Sequence, residues 1–122
     1  MSARKDAIRI RHMLEAARKA VEFARGRTRA DLDSDELLSL ALVRLLEVIG
    51  EAGRQVSADV RKQYSHIPWR EIVGTRDRLI HGYFDVDMDI VWAIISTDLP
   101  ALIPQLEELL RDLSGPEDSS NS

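Results

Sequence analysis

An all-α, up-down helical bundle is the architecture to expect from this chain, and three observations point to it. Apolar residues recur at three-and-four spacing in four separate segments. No segment sustains the every-other-residue alternation of a half-buried strand. The connections are short, which favours antiparallel neighbours. At 122 residues, with 44% hydrophobic and 31% charged side chains, the chain suits one ordinary folded domain. That domain is expected over residues 1–113, followed by a disordered Gly/Pro/Ser/acid-rich tail at 114–122.

The first helix is expected from about Arg4 to Arg25, with Ile10, Met13, Leu14, Ala17, Val21 and Ala24 on its buried stripe. Asp33 or Ser34 suits the N-cap of the second, with Asp35 and Glu36 complementing the positive helix end. Its stripe is Leu38, Ala41, Leu42, Leu45, Val48, Ile49 and Ala52, and Gly53 is a candidate break. Pro68 reads as the first residue of a third helix, because a proline there gives up no helical N–H bond. That helix is expected to reach His81 and to stop at Gly82. The fourth runs from about Asp87 to Leu113, kinked or interrupted at Pro100 and Pro104.

Composition removes several function classes. There is no cysteine, which excludes disulfides, thiolate metal sites and a cysteine nucleophile. The longest apolar run, Ile90 to Ile95, is far too short to span a bilayer, and the first residues have no apolar run behind their charges. A cytoplasmic protein without a membrane role is therefore expected. The net charge of -4 conceals an asymmetry: residues 1–30 carry nine Lys/Arg against three Asp/Glu. Such a basic segment either attracts phosphate or pairs with acidic neighbours.

The third segment holds the chemistry. Its stripe of Trp69, Ile72, Val73, Arg76, Leu79, Ile80 and Tyr83 places Arg76 at a position that packing alone would fill with Leu or Ile. A desolvated guanidinium needs a partner. Asp77 and His81 stand one helical turn apart, so the carboxylate could orient the imidazole. A guanidinium, an imidazole and a phenol within eight residues, with no cysteine and no Gly-rich phosphate loop, suit metal-free phosphodiester cleavage. In that reaction the ribose 2′-hydroxyl attacks phosphorus, His81 moves protons and Arg76 stabilises the phosphoryl oxygens. A purely structural alternative stays open: Arg76 paired with Glu47 or Glu51, and His81 as a polar helix-end residue. Asp85, Asp87 and Asp89 alternate, yet lack the glycine and distal glutamate of a calcium loop and read as helix caps; no metal site is expected. His12 and His66 have no partners in sequence and read as surface residues, while Arg70 and Arg78 are either cleft-rim cations or ordinary exposed charges.

Read whole, the stretch from Ile67 to Asp87 resembles the HepT-like family of the HEPN superfamily. Its R-x4-H-x-Y signature is carried by Arg76, His81 and Tyr83, with Asp77 where asparagine is more common. Ile67-Pro68-Trp69, Ile49-Gly50-Glu51-Ala52, Ile90-Val91-Trp92 and Asp98-Leu99-Pro100 extend the likeness over about residues 5–113. The resemblance implies a HEPN-type four- to five-helix bundle that dimerises so that two motifs face one cleft. It implies a metal-independent endoribonuclease acting on cellular RNA, with no cofactor of its own and no DNA partner. It also implies a type VII-like toxin-antitoxin pair, in which an MntA-type nucleotidyltransferase antitoxin uses ATP to attach AMP to Tyr83. Asp77 is an auxiliary residue in that reading. The alternative is a non-catalytic dimeric HEPN subunit that binds the nucleotidyltransferase.

Overall fold

The computed structural model describes residues 3–81 and 85–121, with side chains described for residues 3–80 and 85–115. Its helices are α1 (Ala3–Ala24), α2 (Asp31–Ser34), α3 (Glu36–Arg54), α4 (Ala58–Gln63), α5 (Trp69–Val73), α6 (Thr75–Leu79), α7 (Met88–Ala93) and α8 (Leu99–Asn121). A two-residue ladder, β1 (Ile80–His81) with β2 (Asp85–Val86), lies between α6 and α7, and a π-helical turn (Ile94–Asp98) joins α7 to α8. The all-α bundle expected from the periodicity is the observed architecture.

α1 is the central strut, packed against both α3 and α8. A helix held from two sides must bury more than one stripe, so Ala16 and Ala20 join Ile10, Met13, Leu14 and Ala17 inside. The alanines keep the helix thin where its neighbours approach. α8 answers with Leu99, Leu102, Leu106 and Leu109, and α3 with Leu38, Leu42, Leu46 and Ile49, all buried. Each such side chain contributes about 1.5–3 kcal/mol by leaving water. Two residues beyond the end of α1 the chain turns at Gly26, whose φ of 74° is the left-handed conformation glycine adopts without Cβ strain.

Several boundaries move from their expected places. Neither Asp33 nor Ser34 caps α3, because both belong to the short α2 that tucks Leu32 into the core. Asp35 is the cap, its carboxylate accepting from the Leu38 N–H at 3.1 Å and from Arg27 at 2.6 Å. α4, absent from the periodicity reading, is fastened by α1: the buried Asp6 carboxylate accepts from the Ser57 N–H at 2.8 Å and its hydroxyl at 2.7 Å. Pro68 stands at the cap of α5 and not inside the helix.

The expected single helix from Pro68 to His81 is replaced by three pieces: α5, α6 and β1. Gly74, with φ −84° and ψ 6°, breaks it, and α6 stops at Leu79 so that Ile80 and His81 pair antiparallel with Val86 and Asp85. Asp87 confirms the capping expectation, accepting from the N–H groups of Asp89 and Ile90. Asp89 instead reaches Arg29 at 2.7 Å. The interruption expected at Pro100 is the π-helical turn just before it, where the Ser96 hydroxyl donates to the Trp92 carbonyl at 2.6 Å. Pro104 lies within α8, whose backbone leaves helical geometry only at Gly115.

Candidate active site

The placement of α5 and α6 begins with two glycines on α3. A Cβ at Gly50 would stand 3.0 Å from the Ile72 carbonyl oxygen, and one at Gly53 would stand 3.0 Å from Ile72 Cγ2. Their bare backbone lets α5 lie directly on α3. Gly53, expected to weaken or break the helix, is thus a helical residue kept small for packing. Trp69, Ile72, Thr75 and Leu79 form the buried side of α5–α6, and the Thr75 hydroxyl is satisfied by the Glu71 carbonyl at 3.0 Å.

With Thr75 facing inward, Arg76 faces out. The stripe expected from one unbroken helix put Arg76 in the seam; the structure buries Thr75 there instead, and the guanidinium is exposed. It lines a cavity of about 340 Å³ between α3 and α5–α6, together with Arg44, Glu47, Glu51, Arg54 and Val73. No ion pair to Arg76 forms among the described residues, whereas Glu47 is approached loosely by Arg44 at 3.9 Å. The structural alternative, Arg76 paired with Glu47 or Glu51, is therefore not what the chain adopts. An exposed guanidinium on an open cavity can bind an anion bidentately.

His81 follows on β1, paired through its backbone with Asp85. The Asp77–His81 spacing is not one helical turn, since α6 ends between them, and Asp77 is exposed on α6. The His81 side chain and all of Tyr83 lie outside the described residues. Arg78, considered as a rim cation, lines a different cavity of about 450 Å³ with Glu71, His66 and Asp98, 3.9 Å from the Asp98 carboxylate. Arg70 is exposed on α5 and lines neither. His12, taken for an isolated surface residue, lines a third cavity of about 240 Å³ with Arg9, Arg44 and Glu51.

Arg44 and Arg54 escaped the sequence reading. The available signal was the polar sequence Arg44, Glu47, Glu51, Arg54 on α3, spaced three, four and three and therefore sharing one helix face.

Residues 13–109 match the family described as Ribonuclease HepT-like. The chain belongs to this family. A protein of Methanocaldococcus jannaschii provisionally named an RNase is 34% identical over 108 residues, covering 88% of this chain and 89% of its own length. A similarly named protein of Caldanaerobacter subterraneus subsp. tengcongensis is 38% identical over 102 residues, covering 84% and 91%. One from Thermococcus cleftensis, named "probable ribonuclease HepT", is 38% identical over 95 residues, covering 78% and 86%. No solved structure gives a significant match. The HepT-like match contains the whole Arg76-to-Tyr83 signature and the α3 glycines that seat it. No helix among the described residues is long and apolar enough to cross a membrane.

Proposed function

We propose that this protein is a metal-independent endoribonuclease acting on cellular RNA in the cytoplasm, the toxin of a HepT/MntA-type pair. The observation that carries the reading is Arg76, exposed on an open cavity and without an ion pair among the described residues, five residues before His81 in a HepT-like chain. In the proposed reaction His81 takes the proton from the ribose 2′-hydroxyl or returns one to the leaving 5′-oxygen. The 2′-oxygen bonds to phosphorus as the P–O5′ bond breaks, leaving a 2′,3′-cyclic phosphate, and Arg76 balances charge on the non-bridging oxygens. The protein needs no cofactor in this scheme; ATP is consumed by the antitoxin, which attaches AMP to Tyr83. The phosphates of a nucleotide attached to the signature tyrosine would compete with RNA for Arg76.

A homodimer fits the same reading. Leu37 and Leu40 are 81% and 61% exposed, and they continue the Arg44–Glu47–Glu51–Arg54 face of α3 at the same three-and-four spacing. Two leucines left this open call for a cover, and a second copy seated on them would border the Arg76 cavity.

The test is digestion of total RNA by unmodified protein in EDTA, with the new ends mapped. Wild type is expected to cut and leave cyclic phosphates, and Arg76→Ala and His81→Ala are each expected to lose roughly 100-fold or more in rate. Full cleavage by both variants would refute the assignment. Glu47 and Glu51, placed beside Arg76, favour a second reading, a non-catalytic subunit that binds the nucleotidyltransferase. It predicts added AMP by intact mass on co-expression and no cleavage by the unmodified protein.

A further inference from the structure

Some arginines of the chain are held in close ion pairs and others are not. Arg18, Arg25, Arg27 and Arg29 are all spent on carboxylates, at 2.6 Å to Glu107, 3.0 Å to Glu22, 2.6 Å to Asp35 and 2.7 Å to Asp89. Arg9, Arg54 and Arg76 have no such partner among the described residues, and Arg44 touches Glu47 only at 3.9 Å. These four, unlike Arg4 and Arg11, which line a separate cavity, border two cavities that share a wall. Arg44, Arg54 and Arg76 line the 340 Å³ cavity, Arg9 and Arg44 line the 240 Å³ cavity, and both cavities share Arg44 and Glu51 as their common wall.

The two cavities therefore adjoin across α3 and lead from Arg76 to α1. Four arginines face two glutamates along this path, a local positive excess in a chain whose net charge is -4. Unpaired arginines pay no cost of breaking an ion pair when a phosphate arrives, and their planar forks match its oxygens. His12 and Gln55 add polar groups at the α1 end.

We infer that this path is a phosphate track, on which Arg44, Arg54 and Arg9 hold the backbone of single-stranded RNA on one side of the bond presented to Arg76. The inference rests on the ribonuclease reading and extends it with a substrate-binding surface outside the signature. Contacts to successive phosphates release counterions, so affinity on this track falls steeply with salt. Glu51, inside the path, opposes binding and limits it.

The experiment is fluorescence anisotropy with a labelled 2′-O-methyl RNA oligonucleotide, which lacks the attacking hydroxyl, over a range of salt concentrations. Arg54→Gln and Arg9→Gln are expected to weaken binding roughly three- to tenfold each and to lower the salt slope by about 0.7 per lost phosphate contact. Glu51→Gln is expected to tighten binding, a change of sign that loss of folding cannot produce. Arg18→Gln and Arg27→Gln, whose guanidiniums are already paired, are expected to bind as wild type. If wild type cuts RNA while the track variants bind it unchanged, the track is overturned and the ribonuclease reading stands. If wild type neither binds nor cuts RNA, both fall. Track variants that lose a partner chain by light scattering yet keep their RNA affinity would overturn the track and assign these arginines to a protein contact.

Discussion

Arg76, exposed on the open side of α6, carries its charge without a desolvation cost, as the proposed contact to a phosphoryl oxygen requires. The opposite economy governs Asp35, whose charge is used to hold the fold. The N–H of Leu38 bonds its carboxylate and, against some desolvation, holds the group below its ordinary 3.8, with Arg27 adding to the effect. A depressed carboxyl contributes stability that is fully present above its unfolded pKa and is lost as pH falls through the folded value. Asp35→Asn retains a capping oxygen but no charge. It is therefore expected to be less stable than wild type at pH 7, with the gap closing below about pH 4, as followed by urea unfolding monitored by circular dichroism. A gap that stayed constant with pH would place the effect in the cap geometry and not in the charge. That a short polar side chain of this stretch would cap α3 was legible in the sequence; which one was not, because three acids and a serine compete over residues 31–35 and the choice depends on Leu32 docking into the core.

Helix α3 does two jobs with two faces. Its apolar face fills the core, and its glycines admit α5 at backbone contact. Alanine at Gly53 would press on the ends of flexible side chains, Ile72 Cγ2 at 3.0 Å and Met13 Cε at 3.4 Å, whereas alanine at Gly50 would press on the Ile72 carbonyl, which is fixed in the docked helix. Either change gains about 1 kcal/mol of helix propensity, while overpacking costs about 1–3 kcal/mol. Gly50→Ala is therefore expected to be the more destabilising of the two and to reduce RNA cleavage by lifting α5–α6 from α3. Urea midpoints and cleavage rates for the two variants check this, and equal tolerance would contradict the packing account. From sequence the glycines looked like weak points, since propensity registers the missing side chain but not the neighbour that needs the space. The same limitation hid the break at Gly74. The apolar spacing of Trp69, Ile72, Val73, Leu79 and Ile80 suits a continuous helix, and only the docking of α5 on α3 and the pairing of β1 with β2 end it early.

Packed between α3 and α8, α1 leaves the far face of α3 uncovered. Leu37 and Leu40 lie there, followed by the charged residues that border the Arg76 cavity. The proposed homodimer is expected to use these leucines: light scattering should give the mass of two chains for wild type and of one chain for the Leu37→Glu/Leu40→Glu double variant. Because the leucines are exposed, the monomeric variant should keep the helical signal and melting cooperativity of a folded chain. A wild-type protein that is monomeric at micromolar concentration would refute the dimer.

Helix content and much of the buried faces of α1 and α3 could be read from residue spacing, because amphipathic period is a local property of the chain, and the Arg76–His81–Tyr83 signature could be read from its likeness to a family motif. The solvent exposure of Arg76, the end of α6 before His81 and the gathering of Arg44 and Arg54 beside Arg76, with Arg9 at the adjoining cavity, could not. Each depends on residues distant in sequence coming together: a glycine face on α3 that sets how closely α5 docks, a strand pair that ends a helix, and carboxylates that occupy some arginines and leave others free.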